Sequence, residues 1–290
     1  MNGILVVDKP KGPTSSDVVQ AVRRVLKEKK AGHTGTLDPM ATGVLAICLG
    51  DATRVAQVFT DGDKAYDATV KLGVTTDTLD AEGAVLQTRP VPEVTRASLE
   101  AVLARFRGAL KQTPPMYSAI KKDGKRLYEL ARAGEEVERE ARDVTVHALT
   151  LNDFSADELK LSVACSKGFF VRTLAADIGE ALGCGAHLTA LRRTQSGPFH
   201  LAKALPLATL LEHGPSVVEG RLVSVDEALA FLPEVATSEA EAERVKHGGV
   251  VEVARPDCAL VRVTAPDGRV LALAEVRRGR LAYKRVLVTI

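Results

Sequence analysis

The sequence has no tryptophan and few other aromatic residues, with 7 Phe and 4 Tyr among 290 residues. So few rings argue against an extended stacking platform of the kind that binds single-stranded nucleic acid without sequence preference. The 4 cysteines are scattered, with no C-x-x-C pair and no histidine at zinc-finger spacing. The sequence therefore predicts buried free thiols, rather than a metal site or a disulfide framework.

Several common signatures are also missing. The chain has no P-loop, no G-x-G-x-x-G and no H-E-x-x-H pattern, so a nucleotide cofactor or a metalloprotease site has no support. No apolar run approaches the length of about 20 residues that a membrane-spanning helix needs. The N-terminal "MNGILVVDKP" has no basic stretch before its short apolar run, unlike a secretory signal. We expect a cytoplasmic protein that does not contact membranes.

The composition, 46% hydrophobic and 26% charged, is that of a globular protein with a sizeable core. The net charge of +2 conceals an asymmetry, because residues 244–290 carry 10 Lys and Arg against 4 Asp and Glu. The remainder carries 29 basic against 33 acidic residues. A small basic C-terminal unit beside a larger, nearly neutral one is typical of an appendage that binds a polyanion, and a solvated basic surface is the alternative.

The N-terminal half alternates strand and helix patterns. A short apolar run ends at Pro10, and Ser15 or Ser16 is a candidate N-cap for the helix that follows. The segment "KAYDATVKLG" alternates apolar and polar residues, which predicts a half-buried strand with Tyr66 on its apolar face. An amphipathic helix is predicted over 95–110, with Thr95 as its cap.

The C-terminal half begins with another strand and helix. "LKLSVACSKG" predicts a strand, and "FFVRTLAADIGEALGCG" predicts a helix that Gly183 ends. From about residue 236 the runs "GVVEVA", "ALVRVT", "RVLALAEV" and "LAYKRVLVTI" predict a small β-barrel. Without a strict βαβ rhythm, the main body is predicted to be α+β with a largely antiparallel sheet flanked by helices.

Asp38 is the single acidic residue of "AGHTGTLDPMATGVLAICLG" at 31–50. Taken alone it favours a structural role, because Asp-Pro initiates turns and an aspartate side chain bonds nearby backbone. The surrounding small residues also leave room for a ligand to approach the carboxylate. We expect Gly32, Gly35 and Pro39 to set where that carboxylate points.

A set of segments in fixed order favours chemistry at Asp38. The segments are "LVVDKPKG" at 5–12, "GHTGTLDPMATGVL" at 32–45, "KAYDATVKLG" at 64–73, "PPMYSAIKKDGKRLYELAR" at 114–132, "CSKGFFVRTL" at 165–174 and "GCGAHLTALRR" at 183–193. From about residue 2 to 232 the chain resembles the bacterial tRNA pseudouridine-55 synthases of the TruB family. The tail resembles a PUA-type RNA-binding domain by its succession of short β-rich runs and by its position after the catalytic part.

The resemblance implies a pseudouridine-synthase-type catalytic domain at 1–232, with an RNA-clamping insertion at about 114–145, and a PUA-like RNA-binding domain at 236–290. It implies that the enzyme isomerises uridine 55 in the T-loop of tRNA, breaking the N-glycosidic bond and rejoining the base through carbon. An aspartate nucleophile and no cofactor are implied. The implied partner is tRNA, through its T-arm and, by way of the C-terminal domain, its acceptor end, with no obligate protein partner.

The same resemblance assigns roles to three residues of the reaction centre. Asp38 stands where the family has its catalytic aspartate. Arg172 is expected to face that carboxylate, which agrees with its place in the first turn of a helix, where the dipole disfavours a cation. Tyr66 is expected to stack on the target uracil and is a candidate for removing the proton that leaves its ring. The alternatives are a surface arginine and a core tyrosine.

Four further residues are implied to support the pocket. His33 matches a histidine that contacts the T-loop where the flipped nucleotide leaves its stack. Lys9 belongs to the "DKP" element and meets either a phosphate or the Asp38 region. Leu191 matches an apolar residue that packs near the base. Phe170 stands where many members have tyrosine, so any hydroxyl hydrogen bond at that point is absent.

Two other classes of function remain open from the residues themselves. A non-catalytic RNA-binding or tRNA-folding protein would share the scaffold without needing the three reaction-centre residues. A carboxylate-based glycosidase would need a second carboxylate roughly 5 to 10 Å from Asp38. Asp67 and Asp77 are the candidates for that second acid, and the sequence offers no reason to prefer either.

Overall fold

The computed structural model describes residues 1–122 and 124–287. Its α-helices are α1 (Ser15–Leu26), α2 (Ala56–Thr60), α3 (Arg96–Ala104), α4 (Leu127–Arg132), α5 (Val171–Ala181), α6 (Leu207–His213), α7 (Val225–Ala228) and α8 (Glu239–Lys246). Its strands are β1 (Gly3–Lys9), β2 (Ala31–His33), β3 (Thr42–Leu49), β4 (Lys64–Leu72), β5 (Val74–Thr76), β6 (Val85–Thr88), β7 (Gly108–Gln112), β8 (Lys121–Lys122), β9 (Lys125–Arg126), β10 (Arg142–Phe154), β11 (Glu158–Cys165), β12 (Ala186–Ser196), β13 (Phe199–His200), β14 (Leu205–Pro206), β15 (Glu234–Ala236), β16 (Cys258–Thr264), β17 (Val270–Arg277) and β18 (Arg280–Val286).

A ten-stranded sheet forms the body, in the order β14-β1-β3-β12-β4-β11-β10-β7, with β13 beside β12 and β2 beside β3. Only β1–β14 and β3–β12 pair in parallel among its described strands; the other pairings are antiparallel. Strand β4 lies in the middle, between β11 and β12. The predicted α+β class with a mixed, largely antiparallel sheet is confirmed.

Two groups of helices pack on this sheet. Helices α3 and α5 bury Leu99, Leu103 and Ile178 against β4, β10, β11 and β12. Helices α1 and α6 bury Val18 and Leu210 against β1 and β3. Each fully buried aliphatic side chain contributes about 1.5–3 kcal/mol of transfer free energy. The loop at 34–41 lies between α1 and α5 and contacts both helices.

The C-terminal strands form a separate sheet in the order β15-β16-β17-β18. This sheet has its own core around Val245, Val261 and Val263 and also shares a second core with the large sheet. In that shared core, Val270 and Leu273 pack with side chains from alternate positions of β1 and β3. Those β1 and β3 residues are Ile4, Val6, Val44, Ala46 and Cys48. The predicted small C-terminal β-unit is therefore packed against the main body.

Two helix boundaries differ from the prediction. Thr14, rather than Ser15 or Ser16, caps α1, because its hydroxyl accepts from the Asp17 amide while the Asp17 carboxylate accepts from the Thr14 amide. Helix α3 starts after the predicted cap Thr95 but ends at Ala104, short of 110. Gly108 adopts φ +86° there, and the following residues pair with β10 instead.

The β-rich runs from about residue 236 predicted the C-terminal elements only in part. Residues 249–254, "GVVEVA", do not form a strand; Glu252 makes an isolated bridge to Arg280. Helix α8 was not predicted, although Ser238 caps it in a capping box with Glu241. Positions 288–290 of the last predicted strand lie outside the described residues. None of the helices described is both long and apolar enough to cross a membrane.

Candidate active site

The loop that carries Asp38 is fixed by bonds from two elements. Ser15 of α1 accepts from the Leu37 amide at 2.8 Å and donates to the Leu37 carbonyl at 3.0 Å. The Lys9 ammonium, at the end of β1, donates to the Ala41 carbonyl at 2.7 Å. Within the loop, the Ala41 amide donates to the Asp38 carbonyl at 3.0 Å. The backbone on both sides of Asp38 is thus held while its side chain stays half-buried.

Arg172 joins the Asp38 loop to two other parts of the chain. Its Nε lies 3.1 Å from Asp38 Oδ2. Nη1 donates to the Thr78 carbonyl at 3.0 Å and lies 3.4 Å from Asp80 Oδ2. Nη2 donates to the Tyr117 carbonyl at 2.6 Å. These partners explain an arginine in the first turn of α5, and its contact with Asp38 is through one nitrogen rather than the bidentate pair that a guanidinium can form.

Asp80 is a site residue that sequence reasoning missed. It is 4% exposed, and its Oδ1 accepts from Thr78 Oγ1 at 2.6 Å and from the Glu82 amide at 3.0 Å. The preceding Leu79 has φ +62°, a left-handed conformation that is uncommon for leucine. The Leu188 amide on β12 donates to the Leu79 carbonyl at 3.0 Å, which holds that turn in place. A non-glycine residue with positive φ next to a buried acid cannot be read from the sequence.

Neither acid proposed as a second glycosidase carboxylate has a described contact with Asp38 or Arg172. Asp67 is exposed on β4 and accepts from Ser162 Oγ at 2.7 Å, and Asp77 accepts from the Ala84 amide at 2.8 Å. The carboxylate beside the Asp38–Arg172 pair is Asp80, whose oxygens already accept bonds from its own turn and from Arg172. Among the residues that the structure describes, this arrangement gives the glycosidase alternative no free second acid beside the pair.

The charge state of Asp38 depends on its neighbours. Burial raises the pKa of Asp38 above its ordinary value, Arg172 lowers it, and Asp80 raises it. Lys9 and Arg193 also lower the pKa of Asp38. Burial in turn lowers the pKa of Lys9 to about 8. Since Lys9 is fully buried beneath the loop, its ammonium meets the Asp38 region rather than a phosphate.

The predicted base-stacking residues lie on the middle strands. Tyr66 stands on β4 opposite Val163 of β11 and Arg193 of β12. Burial raises the pKa of its hydroxyl, while the Arg193 guanidinium lowers it. Leu191 of β12 is 9% exposed and belongs to the same apolar cluster as Leu37 and Tyr66. A flat ring and an apolar side chain therefore lie on the sheet under the Asp38 loop.

Phe170 directly precedes α5 and is held by its backbone. Its amide donates to Gln112 Oε1 at 2.7 Å, and Gln112 Nε2 donates back to the Phe170 carbonyl at 3.0 Å. Gln112 is the last residue of β7 and is 6% exposed. These two hydrogen bonds fix the start of α5, and hence Arg172, without needing a hydroxyl at position 170. Sequence reasoning missed Gln112 because the two residues are far apart in the chain.

His33 is an uncharged neighbour of the loop. It ends β2 opposite Ile47, and its Nδ1 accepts from the Gly35 amide at 3.3 Å. Burial, and secondarily Arg193, lower its pKa below the ordinary 6.5. The neutral tautomer with hydrogen on Nε2 is therefore the form present at neutral pH.

A cavity of about 450 Å³ lies near the Asp38 loop. Its lining includes Met40 and Thr42, just after Asp38 in the chain, together with Leu191, Asp67, Lys160 and Arg192, but not Asp38, Arg172 or Tyr66. This volume is within the range of small-molecule sites, about 300 to 1,000 Å³. Because of its lining, however, the cavity does not coincide with the Asp38–Arg172 contact.

Comparisons with known proteins identify the family of this chain. Two family models match consecutive parts of the chain: the TruB family pseudouridylate synthase N-terminal domain at residues 23–171, and the tRNA pseudouridylate synthase B C-terminal domain at 172–230. A protein from Azoarcus sp. (strain BH72), named tRNA pseudouridine synthase B, is 49% identical over 289 residues, covering 100% of this chain and 96% of its own. The protein of the same name from Pseudomonas aeruginosa (strain UCBPP-PA14) is 49% identical over 293 residues, covering 99% of this chain and 96% of its own.

Solved structures show the same fold. The chain matches a protein in a crystal structure of a Cbf5-Nop10-Gar1 complex with a TM-score of 0.78 and 26% identity, over 99% of this chain and 85% of that one. A structure of an H/ACA RNP bound to a substrate RNA containing 2'-deoxyuridine matches with a TM-score of 0.76 and 23% identity, over 99% and 85% of the two chains. The full-length identity to the bacterial proteins and the two consecutive domain matches place this chain in the TruB family of pseudouridylate synthases.

Proposed function

We propose that Asp38 is the nucleophile of this pseudouridine synthase and that its target is uridine 55 in the T-loop of tRNA. The enzyme isomerises uridine to pseudouridine in tRNA, as its family does. The observation that carries the proposal is the contact between Asp38 and the buried Arg172, at 3.1 Å. A half-buried carboxylate with a fixed cationic partner in a rigid loop is built for attack on a bound substrate rather than for making a turn.

The reaction needs a nucleophile that forms a covalent bond and then releases it. The bond between uracil N1 and ribose C1′ breaks, a bond between uracil C5 and C1′ forms, the proton on C5 is lost to a base and then to solvent, and N1 takes up a proton. A carboxylate can attack either partner of the broken bond and depart again when the base rejoins. Arg172 favours the ionised carboxylate against the desolvation that a flipped base imposes.

The neighbouring side chains suit a flipped uracil. We assign Tyr66 the stacking position and a part in removing the C5 proton, because its ring lies on β4 beside Arg193, whose guanidinium offsets part of the rise that burial causes in the pKa of the hydroxyl. Leu191 packs against the base from β12, and Phe170 packs at the start of α5. Neutral His33 contacts the RNA where the nucleotide leaves its stack. Extruding the nucleotide costs a few kcal/mol, which such contacts offset.

The RNA-binding surfaces extend beyond the pocket. We divide the chain into a catalytic domain at 1–232, carrying an RNA-clamping insertion at about 114–145, and a PUA-like domain at 236–290. In the insertion, the hairpin β8–β9 exposes Lys121, Lys122, Lys125 and Arg126. Phosphate contacts of this kind supply most sequence-independent affinity for RNA. The C-terminal sheet contacts the acceptor end.

Release of tritium from uracil C5 tests the nucleophile. Wild-type protein incubated with T-arm RNA labelled at C5 should release the label, and Asp38→Asn should slow release by on the order of 10³-fold or more without weakening RNA binding. Asp67→Asn, which removes an exposed carboxylate of β4, is the matched control and should keep the wild-type rate. Undiminished release by Asp38→Asn would remove Asp38 from the chemistry. Free uracil among the products would indicate a hydrolase, and binding without release a non-catalytic protein.

Two arginines test the acceptor-end contact. Arg278 and Arg285 are exposed on the C-terminal sheet. The double variant Arg278→Gln and Arg285→Gln should bind full-length tRNA more weakly and lower the slope of log affinity against log salt by about 2. Binding of an isolated T-arm should not change. Arg269→Gln, at an arginine paired with Asp267, is the control. An equal loss on both RNAs would place the contact elsewhere.

A further inference from the structure

Arg193 is a buried cation next to the Asp38 loop. It stands on β12 and is 2% exposed. Its Nε donates to the Val44 carbonyl at 2.7 Å, Nη1 to the Thr36 carbonyl at 3.2 Å, and Nη2 to the Gly35 carbonyl at 3.1 Å. The guanidinium therefore binds both the loop before Asp38 and the strand after it.

No carboxylate within the described part of the chain forms an ion pair with Arg193, whereas its neighbour Arg192 pairs with Asp8 at 2.7 Å. A buried charge with only carbonyl partners is costly, because desolvation is offset by dipoles rather than by an opposite charge. Such a cation also acts on groups farther away, since little solvent screens it. An apolar side chain at position 193 would avoid this cost, so the presence of a buried arginine there calls for a functional reason.

We infer that Arg193 is a positioning residue of the isomerase, which fixes the Gly35–Val44 segment around Asp38 and holds a positive charge behind that carboxylate. The inference rests on the proposed role of Asp38. Arg193 is too buried to touch RNA, so it acts through the loop and through the electrostatic potential. It is not one of the residues that the motif comparison assigns to the pocket.

The segment around Asp38 packs closely against Arg193 at two glycines. Gly43 of β3 has φ +101°, and a Cβ there would lie 2.2 Å from the Arg193 carbonyl oxygen. Gly35 has φ +149°, and a Cβ there would lie 3.7 Å from Nη1. A planar guanidinium reaches three separate carbonyls, whereas a lysine ammonium is a single point. The segment and the arginine thus fit each other as one unit.

The charged groups around Asp38 come from four elements. Arg172 of α5, Lys9 of β1 and Arg193 of β12 lower the pKa of Asp38, and Asp80 of the turn after β5 raises it. Arg193 in turn lowers the pKa of four groups that face it, which are Lys9, His33, Lys64 and Tyr66. Lys9 and Lys64, each with a pKa of about 8, remain charged throughout the acidic range. Removal of Arg193 therefore leaves Asp38 easier to protonate.

The test separates charge from geometry with two variants, assayed for single-turnover tritium release from T-arm RNA across the acidic pH range. Arg193→Gln keeps hydrogen-bond donors but removes the charge, so the acid limb of its pH–rate profile should move to higher pH. Arg193→Lys keeps the charge, so its acid limb should stay in place. Both should lower the maximal rate by about 100-fold through misplacement of the loop, with unchanged affinity for RNA.

Two controls keep the outcomes distinct. Arg192→Gln removes the same charge one residue away, and its acid limb should remain that of the wild type. Because His33 titrates in the same range, the Arg193→Gln comparison is repeated in a His33→Gln background. An unmoved acid limb in Arg193→Gln, or a wild-type rate in Arg193→Lys, would overturn the inference. If Arg193→Gln does not fold, Arg193→Lys alone tests the inference. A lower maximal rate at unchanged affinity for RNA supports it. Failure of the proposed function would be seen in a different variant, because Asp38→Asn would then release the label at an undiminished rate.

Discussion

Arg172 shares one guanidinium between two carboxylates, and this sharing defines the chemistry of Asp38. Nε faces Asp38 at 3.1 Å, and Nη1 faces Asp80 at 3.4 Å. Asp80 is the more buried of the two acids and anchors the arginine, whereas the Asp38 side chain remains 36% exposed. Asp80 also raises the pKa of Asp38 by repulsion. The second acid thus both orients the cation and opposes ionisation of Asp38.

Asp80→Asn separates these two effects. Loss of the negative charge lowers the pKa of Asp38, so a larger fraction is ionised at a given pH and the acid limb of the pH–rate profile moves to lower pH. The maximal rate should fall about tenfold, because Arg172 loses an anchoring bond worth about 1.4 kcal/mol. Single-turnover tritium release measures both. Asp77→Asn, in the same turn, is the control, and an acid limb at higher pH in Asp80→Asn would contradict the argument.

At the scale of elements, the close pairing of β3 with β12 brings the Asp38 loop onto the sheet. The two strands pair in parallel over Thr42–Arg192 and Gly43–Arg193. Glycine is required at 43, where φ is positive and the partner backbone lies against Cα. Gly32, which we expected to direct the carboxylate, has no such constraint, because its φ is not in the left-handed region and nothing lies within 4 Å of a Cβ.

Gly43→Ala should therefore lower the free energy of unfolding by at least about 3 kcal/mol, from backbone strain together with overpacking against β12. Gly32→Ala should change it by less than about 0.5 kcal/mol. Urea denaturation followed by circular dichroism measures both midpoints. Equal midpoints for the two variants would mean that β12 can move away from β3 at little cost.

At the scale of the whole molecule, the C-terminal sheet completes the core of the catalytic sheet. Val270 and Leu273 pack, together with Phe59 of α2 and Ala228 of α7, on the face of β1 and β3 that lies opposite α1 and α6. Polar bonds add to this contact, because Arg54 donates to the Leu287 carbonyl at 3.1 Å and the Val270 amide donates to Asp226 at 2.6 Å. The basic tail is thus also a structural part of the enzyme, which charge asymmetry alone did not indicate.

Deletion of residues 237–290 should destabilise the remaining protein instead of only weakening RNA binding. It uncovers Ile4, Val6 and Val44, so we expect a loss of several kcal/mol and a Tm lower by about 10 °C or more. Differential scanning calorimetry and binding of a hydrophobic dye test this. The control is the variant carrying Arg278→Gln and Arg285→Gln, which should keep the wild-type Tm. A truncated protein with wild-type Tm and slow turnover would show that the tail is an independent appendage.

Local patterns and motifs were enough for much of this protein. The alternation of "KAYDATVKLG" predicted β4, Thr95 was placed correctly as a cap, and the ordered motifs identified the family and singled out Asp38. These features depend on neighbours in the chain, whose spacing matches the period of a strand or a helix. The end of α3 before Gly108 depended on strand pairing and was missed, and helix α8 was missed although its capping box is a local signal.

Tertiary structure alone decided which polar residues serve the site. Arg192 and Arg193 are adjacent and chemically identical, and in the sequence both belong to one basic cluster. Successive strand residues point to opposite faces, so only one of the two can lie under the Asp38 loop. Pairing of β12 with β3 and β4 selected Arg193 for that place and left Arg192 to bind Asp8 at the surface. The sequence by itself determined the family and the fold class and singled out Asp38 as the proposed nucleophile, and three-dimensional pairing determined the charges that surround Asp38.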